Sequence, residues 1–194
     1  MFKRIYKEVI SRLENDLPSW LTYHSPDHTL YVLEKAEFLA KQEGVKGRDL
    51  FLIKVAALYH DLGFVKDRED HENTGCEMAS MELPEYELTP EEINRVCDMI
   101  TATKIPQKPK TISEKILADA DLEYMGTDQY HEISEKLYQE MLHSRPDLSR
   151  EEWNEIQVNF LSNHSYHTNY CKKHCEAIKA KHLKKLRKQL TQSN

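Results

Sequence analysis

The chain has 194 residues, with 33 Asp or Glu against 27 Lys or Arg and a formal net charge of −6 when its ten histidines are neutral. A hydrophobic share of 39% supports one core and excludes wholesale disorder, and no apolar run approaches a membrane span. Residues 1–15 have neither the apolar stretch nor the small-residue cleavage site of a secretory signal, so a cytoplasmic location is expected, with the four cysteines kept as thiols.

Glycine and proline are sparse and strict apolar alternation is absent, so helices are expected throughout and no strand is required. Phe2, Ile5, Tyr6, Val9, Ile10 and Leu13 share one helical face and predict a first helix over Phe2–Asn15, stopped at Leu17-Pro18. Ser25-Pro26-Asp27 offers a cap and a first-turn proline for a second helix that ends at Gly44. Phe51–Leu62, FLIKVAALYHDL, is apolar nearly all round, the pattern of a helix buried in mid-domain. Helices are also predicted over His71–Met81, Thr89–Thr103, Ser113–Met125, Gln129–Leu142, Ser149–Asn163 and Thr168–Leu190, with KIPQKPKT at 104–111 as a loop.

The last of these carries eight Lys or Arg between Cys171 and Lys188 against the single acid Glu176. A solvated basic face is expected there, with contact to an anionic partner such as RNA as the alternative. The acidic remainder argues against a dedicated DNA binder, since phosphate neutralisation needs a basic surface. No repeat, linker or composition break marks a second domain. The expectation is one all-α domain of about eight or nine helices over 1–194, with a motif core at 23–126 and a helical extension at 127–194; a homodimer is a fair expectation.

His60 and Asp61 end the most buried-looking helix. An unpaired imidazole and carboxylate there would cost several kcal/mol unless compensated, and a cation is the obvious compensation. Neighbours on a helix stand about 100° apart, so both can lean toward one point off the helix surface, with further ligands from other helices. His28 in YHSPDHTLYV and Asp119 or Asp121 in ILADADLEYMG are the candidates. Nitrogen and carboxylate donors together suit a borderline or hard divalent ion, Mn, Fe, Co, Ni, Zn or Mg.

These residues resemble the HD superfamily of metal-dependent phosphohydrolases, whose signature is one histidine, a His-Asp pair on a buried helix and a distant aspartate, on an all-α fold. The resemblance covers Tyr23 to Gly126 and implies His28, His60, Asp61 and Asp121 as ligands. Asp121 is favoured over Asp119 because Leu117 shares its face one turn earlier; Asp119 is then a candidate general base or supporting residue. The resemblance further implies that His71 contacts substrate phosphate or a second metal. CDMITATKIPQ lacks the additional histidine pair of two-metal members, which favours one ion. Lys104 is a candidate for stabilising phosphate charge or else a solvated loop lysine, and His24 for orienting its helix or lining the pocket. No acid follows the pair in Leu62-Gly63-Phe64-Val65, which leaves the general base open. Cys171, His174 and Cys175 with His167 crowd one helical stretch, a spacing unlike structural zinc sites, and are read as a polar helix with ordinary thiols. His164, Tyr166 and His167 are candidates for a lid.

The implied function is metal-dependent hydrolysis of a phosphomonoester or phosphodiester, with a nucleotide or cyclic nucleotide as the substrate class. The alternative is a non-catalytic metal-bound helical module that senses a nucleotide or binds a partner.

Overall fold

The most apolar segment becomes the central helix. In the computed structural model, which describes residues 1–193, ten α-helices run in chain order: α1 (Phe2–Asp16), α2 (Pro26–Gln42), α3 (Gly47–Tyr59), α4 (His71–Glu82), α5 (Pro90–Thr103), α6 (Ile112–Leu122), α7 (Tyr130–Ser144), α8 (Arg150–Asn163), α9 (Asn169–His174) and α10 (Glu176–Ser193). Single 3-10 turns follow α3, α4 and α6 at Leu62–Val65, Leu83–Tyr86 and Glu123–Gly126, and no strand occurs among the described residues. No described helix is long and apolar enough to cross a membrane.

Seven residues of α3 between Leu52 and Tyr59 are essentially inaccessible, which its all-round apolar sequence requires once α1, α2, α5 and α6 pack around it. The helical stripe of α1 delivers Ile5, Val9, Ile10 and Leu13 to the same core. A second, smaller core joins Tyr124, Met125 and Tyr130 to Leu161 of α8 and Leu186 of α10.

Helix ends follow local chemistry. Gly44 adopts φ +75°, and the Val45 and Gly44 amides donate to the carbonyls of Ala40 and Lys41, so α2 closes in a Schellman turn. Thr89 and Ser149 make reciprocal capping boxes with Glu92 and Glu152. Ser25 stands at the N-cap of α2, but its hydroxyl makes no capping bond.

Most ends fall within two residues of expectation, and four larger departures stand out. α3 starts at Gly47 rather than Phe51, because its polar first turn is held by the Arg48 guanidinium donating to both oxygens of Glu92 at 2.6 and 2.8 Å. It also ends at Tyr59, so His60 and Asp61 occupy a turn beyond the helix. α6 stops at Leu122, where the buried Tyr166 hydroxyl reaches the Leu122 and Glu123 carbonyls, each at 3.2 Å. The single helix expected over Thr168–Leu190 breaks at Cys175, giving ten helices among the described residues. There Gly126 admits the Cys175 backbone so closely that a β-carbon on the glycine would lie 2.3 Å from Cys175 Cβ.

Candidate metal centre

The turn after α3 places the His-Asp pair. His60 Nδ1 lies 2.8 Å from the Ala57 carbonyl and can only donate to it, which leaves the Nε2 lone pair facing away. Gly63 lets the turn press against α4: a β-carbon there would come within 1.9 Å of the His71 carbonyl oxygen and 2.9 Å of the Gly75 nitrogen. This contact sets Asp61 beside His71. His28 arrives from the first turn of α2 and Asp121 from the last turn of α6.

The four residues expected as ligands converge. His28 Nε2 is 3.1 Å from Asp121 Oδ1 and 3.5 Å from Asp61 Oδ2, while His60 Nε2 is 3.2 Å from Asp61 Oδ2 and 3.8 Å from Asp121 Oδ1. Donor atoms of His28, His60 and Asp121 all lie within 4.8 Å of one another. Although close, His60 Nε2 and Asp61 Oδ2 lack hydrogen-bonding geometry, and both are buried without a partner. Two such atoms facing each other are costly in a protein interior. A divalent cation between two imidazole nitrogens and two carboxylates satisfies both, so the donor set fits such an ion.

The electrostatics point the same way. Burial opposes protonation of His60, but the Asp61 charge, helped by Asp121, outweighs it and lifts the imidazole to about 9. Burial likewise opposes ionisation of Asp61, yet His60 and the neighbouring histidines hold its carboxyl well below the usual carboxylate range. The pocket therefore favours positive charge.

Around the cluster the side chains brace one another. Phe64 is sandwiched between His24, with centroids 4.2 Å apart, and His71, at 4.0 Å. Buried Glu140 of α7 accepts from the backbone amides of Tyr23 and His24 and pairs with His24 Nδ1 at 2.5 Å. Desolvation disfavours charge on His24, but Glu140 overcomes it and raises its pKa. His71 stands at the edge of the cluster, its Nε2 3.9 Å from Asp61 Oδ1 and 3.5 Å from Glu72 Oε1. Phe64, Glu72 and Glu140 were not singled out from sequence: Phe64 reads as a core residue, and the two glutamates as helix-surface acids until the fold buries them.

Other candidates lie elsewhere. Asp119 turns away from the cluster; its two oxygens accept from the His167 and Thr168 amides and the Thr168 hydroxyl at 2.6–3.1 Å, which engages the carboxylate with the 167–168 segment rather than with the cluster. Lys104 is exposed at the rim, with its ammonium 2.9 Å from Asp70 Oδ1 and 3.7 Å from Glu72 Oε2. The expected lid is a pinned segment instead, because Tyr166 is buried and Asp119 ties down its far end. Cys171 and Cys175 are buried in the main core rather than displayed on a polar helix.

Asp61, His71 and Asp121 form one end of a cavity of about 230 Å³. Its far wall consists of α7 and α8 side chains with Tyr124 and Met125, including Tyr130, Leu137, Trp153 and Phe160.

The sequence matches the family model described as HD domain over residues 27–125. A search of curated proteins finds no match. Among solved structures, the chain is similar to the crystal structure of a predicted HD superfamily hydrolase from an uncultured Thermotogales bacterium, with a TM-score of 0.63, 20% identity, and coverage of 97% of this chain and 92% of that one.

Proposed function

The chain belongs to the HD-domain family, and from that premise we propose that it is a metal-dependent phosphohydrolase with His28, His60, Asp61 and Asp121 holding one divalent ion. The observation that carries this reading is the pair of unpartnered buried atoms, His60 Nε2 and Asp61 Oδ2, facing a third and fourth ligand from separate helices. A divalent ion bound there would polarise a phosphoryl oxygen and lower the pKa of a bound water.

The chain's own residues supply the rest. The Ala57 carbonyl fixes the His60 tautomer, and Phe64 holds His24 and His71 at the mouth. In this reading His71, at the edge of the cluster, meets phosphate oxygens. On the same reading Asp61 Oδ1 and Glu72, both beside the His71 ring, orient a water and accept its proton. Lys104, paired with Asp70 and 3.7 Å from Glu72, offsets part of the acid charge at the rim that would otherwise repel a phosphate. In the reaction, the oxygen of water bonds to phosphorus, the ester P–O bond breaks, and the released alcohol oxygen takes a proton. Nucleotides and cyclic nucleotides belong to the phosphate-ester class open to such a centre.

The reading is tested by hydrolysis of a panel of phosphate esters with added Mn, Co, Ni, Zn or Mg. Wild type should turn over at least one ester in a chelator-sensitive way, and His60→Ala should lose at least about a hundredfold in kcat/KM. Full activity in that variant, with its fold intact, would refute the site.

A further inference from the structure

The cavity is ionic at one end only. Beyond His24, Asp61, His71, Glu72 and Asp121, its walls are largely apolar and aromatic, and among the described residues that line it there is no Lys or Arg. Three of the polar side chains deeper in the chamber already bond within the protein. The Tyr130 hydroxyl donates to Gln157 Oε1 at 2.7 Å, Gln157 Nε2 to Asn154 Oδ1 at 3.2 Å, and the Ser134 hydroxyl to the His131 carbonyl at 3.2 Å. Most of this wall comes from α7 and α8, outside the stretch matched by the family model.

We infer that the substrate is a phosphomonoester of an uncharged, apolar alcohol, its single phosphate at the ionic end and its ring or short alkyl chain in the chamber between Tyr124, Tyr130, Trp153 and Phe160. Size supports this: an apolar cavity of about 150 Å³ holds benzene, and this one is about 230 Å³. A second or third phosphate, lying beyond the histidines of the ionic end, would meet no lysine or arginine. A nucleobase would bring several donors and acceptors to a wall made mostly of apolar and aromatic side chains.

This assignment rests on the phosphohydrolase reading, and one experiment separates the two. Wild type is assayed on methyl, hexyl and benzyl phosphate and on nucleoside 5′-mono-, di- and triphosphates. Benzyl and hexyl phosphate share a primary-alcohol leaving group with the nucleoside monophosphates, so intrinsic ester reactivity does not decide the ranking. In parallel, hexylphosphonate and methylphosphonate are titrated into wild type by calorimetry at several temperatures. Hexyl phosphate should exceed methyl phosphate by at least about thirtyfold in kcat/KM, since each buried methylene contributes up to about fourfold. It should also exceed every nucleotide by at least about tenfold, with di- and triphosphates poorest. Hexylphosphonate should bind at least about tenfold tighter than methylphosphonate, with a negative heat-capacity change. A nucleotide equal to or better than hexyl phosphate overturns the inference, as does a hexyl ester no better than the methyl ester. If no ester is hydrolysed, the phosphohydrolase reading fails and the phosphonates decide: selective hexylphosphonate binding retains the apolar chamber as a ligand site, and equal binding removes it.

Discussion

Asp119 and Asp121 sit two residues apart on one helix, and the fold gives them opposite surroundings. Asp119 is fully buried, and the 167–168 backbone supplies its hydrogen bonds; burial raises its pKa, while the Thr168 and His167 bonds counter that rise. Asp119→Ala leaves those amides without an acceptor, so urea denaturation should show a loss of about 3 kcal/mol, with bound metal unchanged in the fraction that folds. His164 is a second residue whose role is conformational. Burial, reinforced by the neighbouring Lys179 ammonium, pushes its imidazole from the ordinary 6.5 down to about 3. Between those values the unfolded chain takes up a proton that the folded chain refuses, so stability is fully present above about pH 6.5 and falls on acidification. The slope from this group is at most about 1.4 kcal/mol per pH unit. Melting curves from pH 7 to pH 5 should therefore be flatter for His164→Gln than for wild type, and equal slopes would remove the assignment.

At the level of elements, the turn at 60–65 does what the sequence assigned to the end of a helix. Its tight approach to α4 depends on Gly63, whose missing side chain leaves room for the His71 carbonyl. Gly63→Ala must push α4 away, and overpacking of this kind costs about 1–3 kcal/mol. Because the displaced residue is His71, kcat/KM should fall more than stability alone explains; a variant with wild-type melting and activity would contradict this role for the turn. The helices themselves were legible because apolar spacing marks a buried face, and all nine expected segments contain helix. Their ends were less so: the polar first turn of α3 is held by Glu92, more than forty residues away in sequence, and the break at Cys175 follows from contact with Gly126. The side chains that converge, His28, the His60-Asp61 pair and Asp121, were readable from sequence. The bracing by Phe64 and Glu140 was not, since neither residue carries a local pattern that distinguishes it from ordinary core or surface.

Over the whole molecule, two parts of the chain meet at the cavity. Residues 27–125, matched by the HD-domain model, bring the His28, His60, Asp61 and Asp121 cluster together. α7 and α8 supply most of the opposing apolar wall, and Glu140 of α7 reaches back to hold Tyr23 and His24. Such walls are assembled from residues far apart in sequence, which is why substrate preference was not readable from motifs. The central claim concerns the four-residue cluster, and metal content per chain tests it most directly. Wild type and Asp121→Ala are purified without chelator or affinity metal and measured by elemental analysis. The account predicts close to one divalent ion per wild-type chain, identified by the same measurement, and its loss in a variant that still folds. Wild type without metal, even after incubation with Mn, Co, Ni, Zn or Mg, or a folded Asp121→Ala that keeps its full complement, would contradict it.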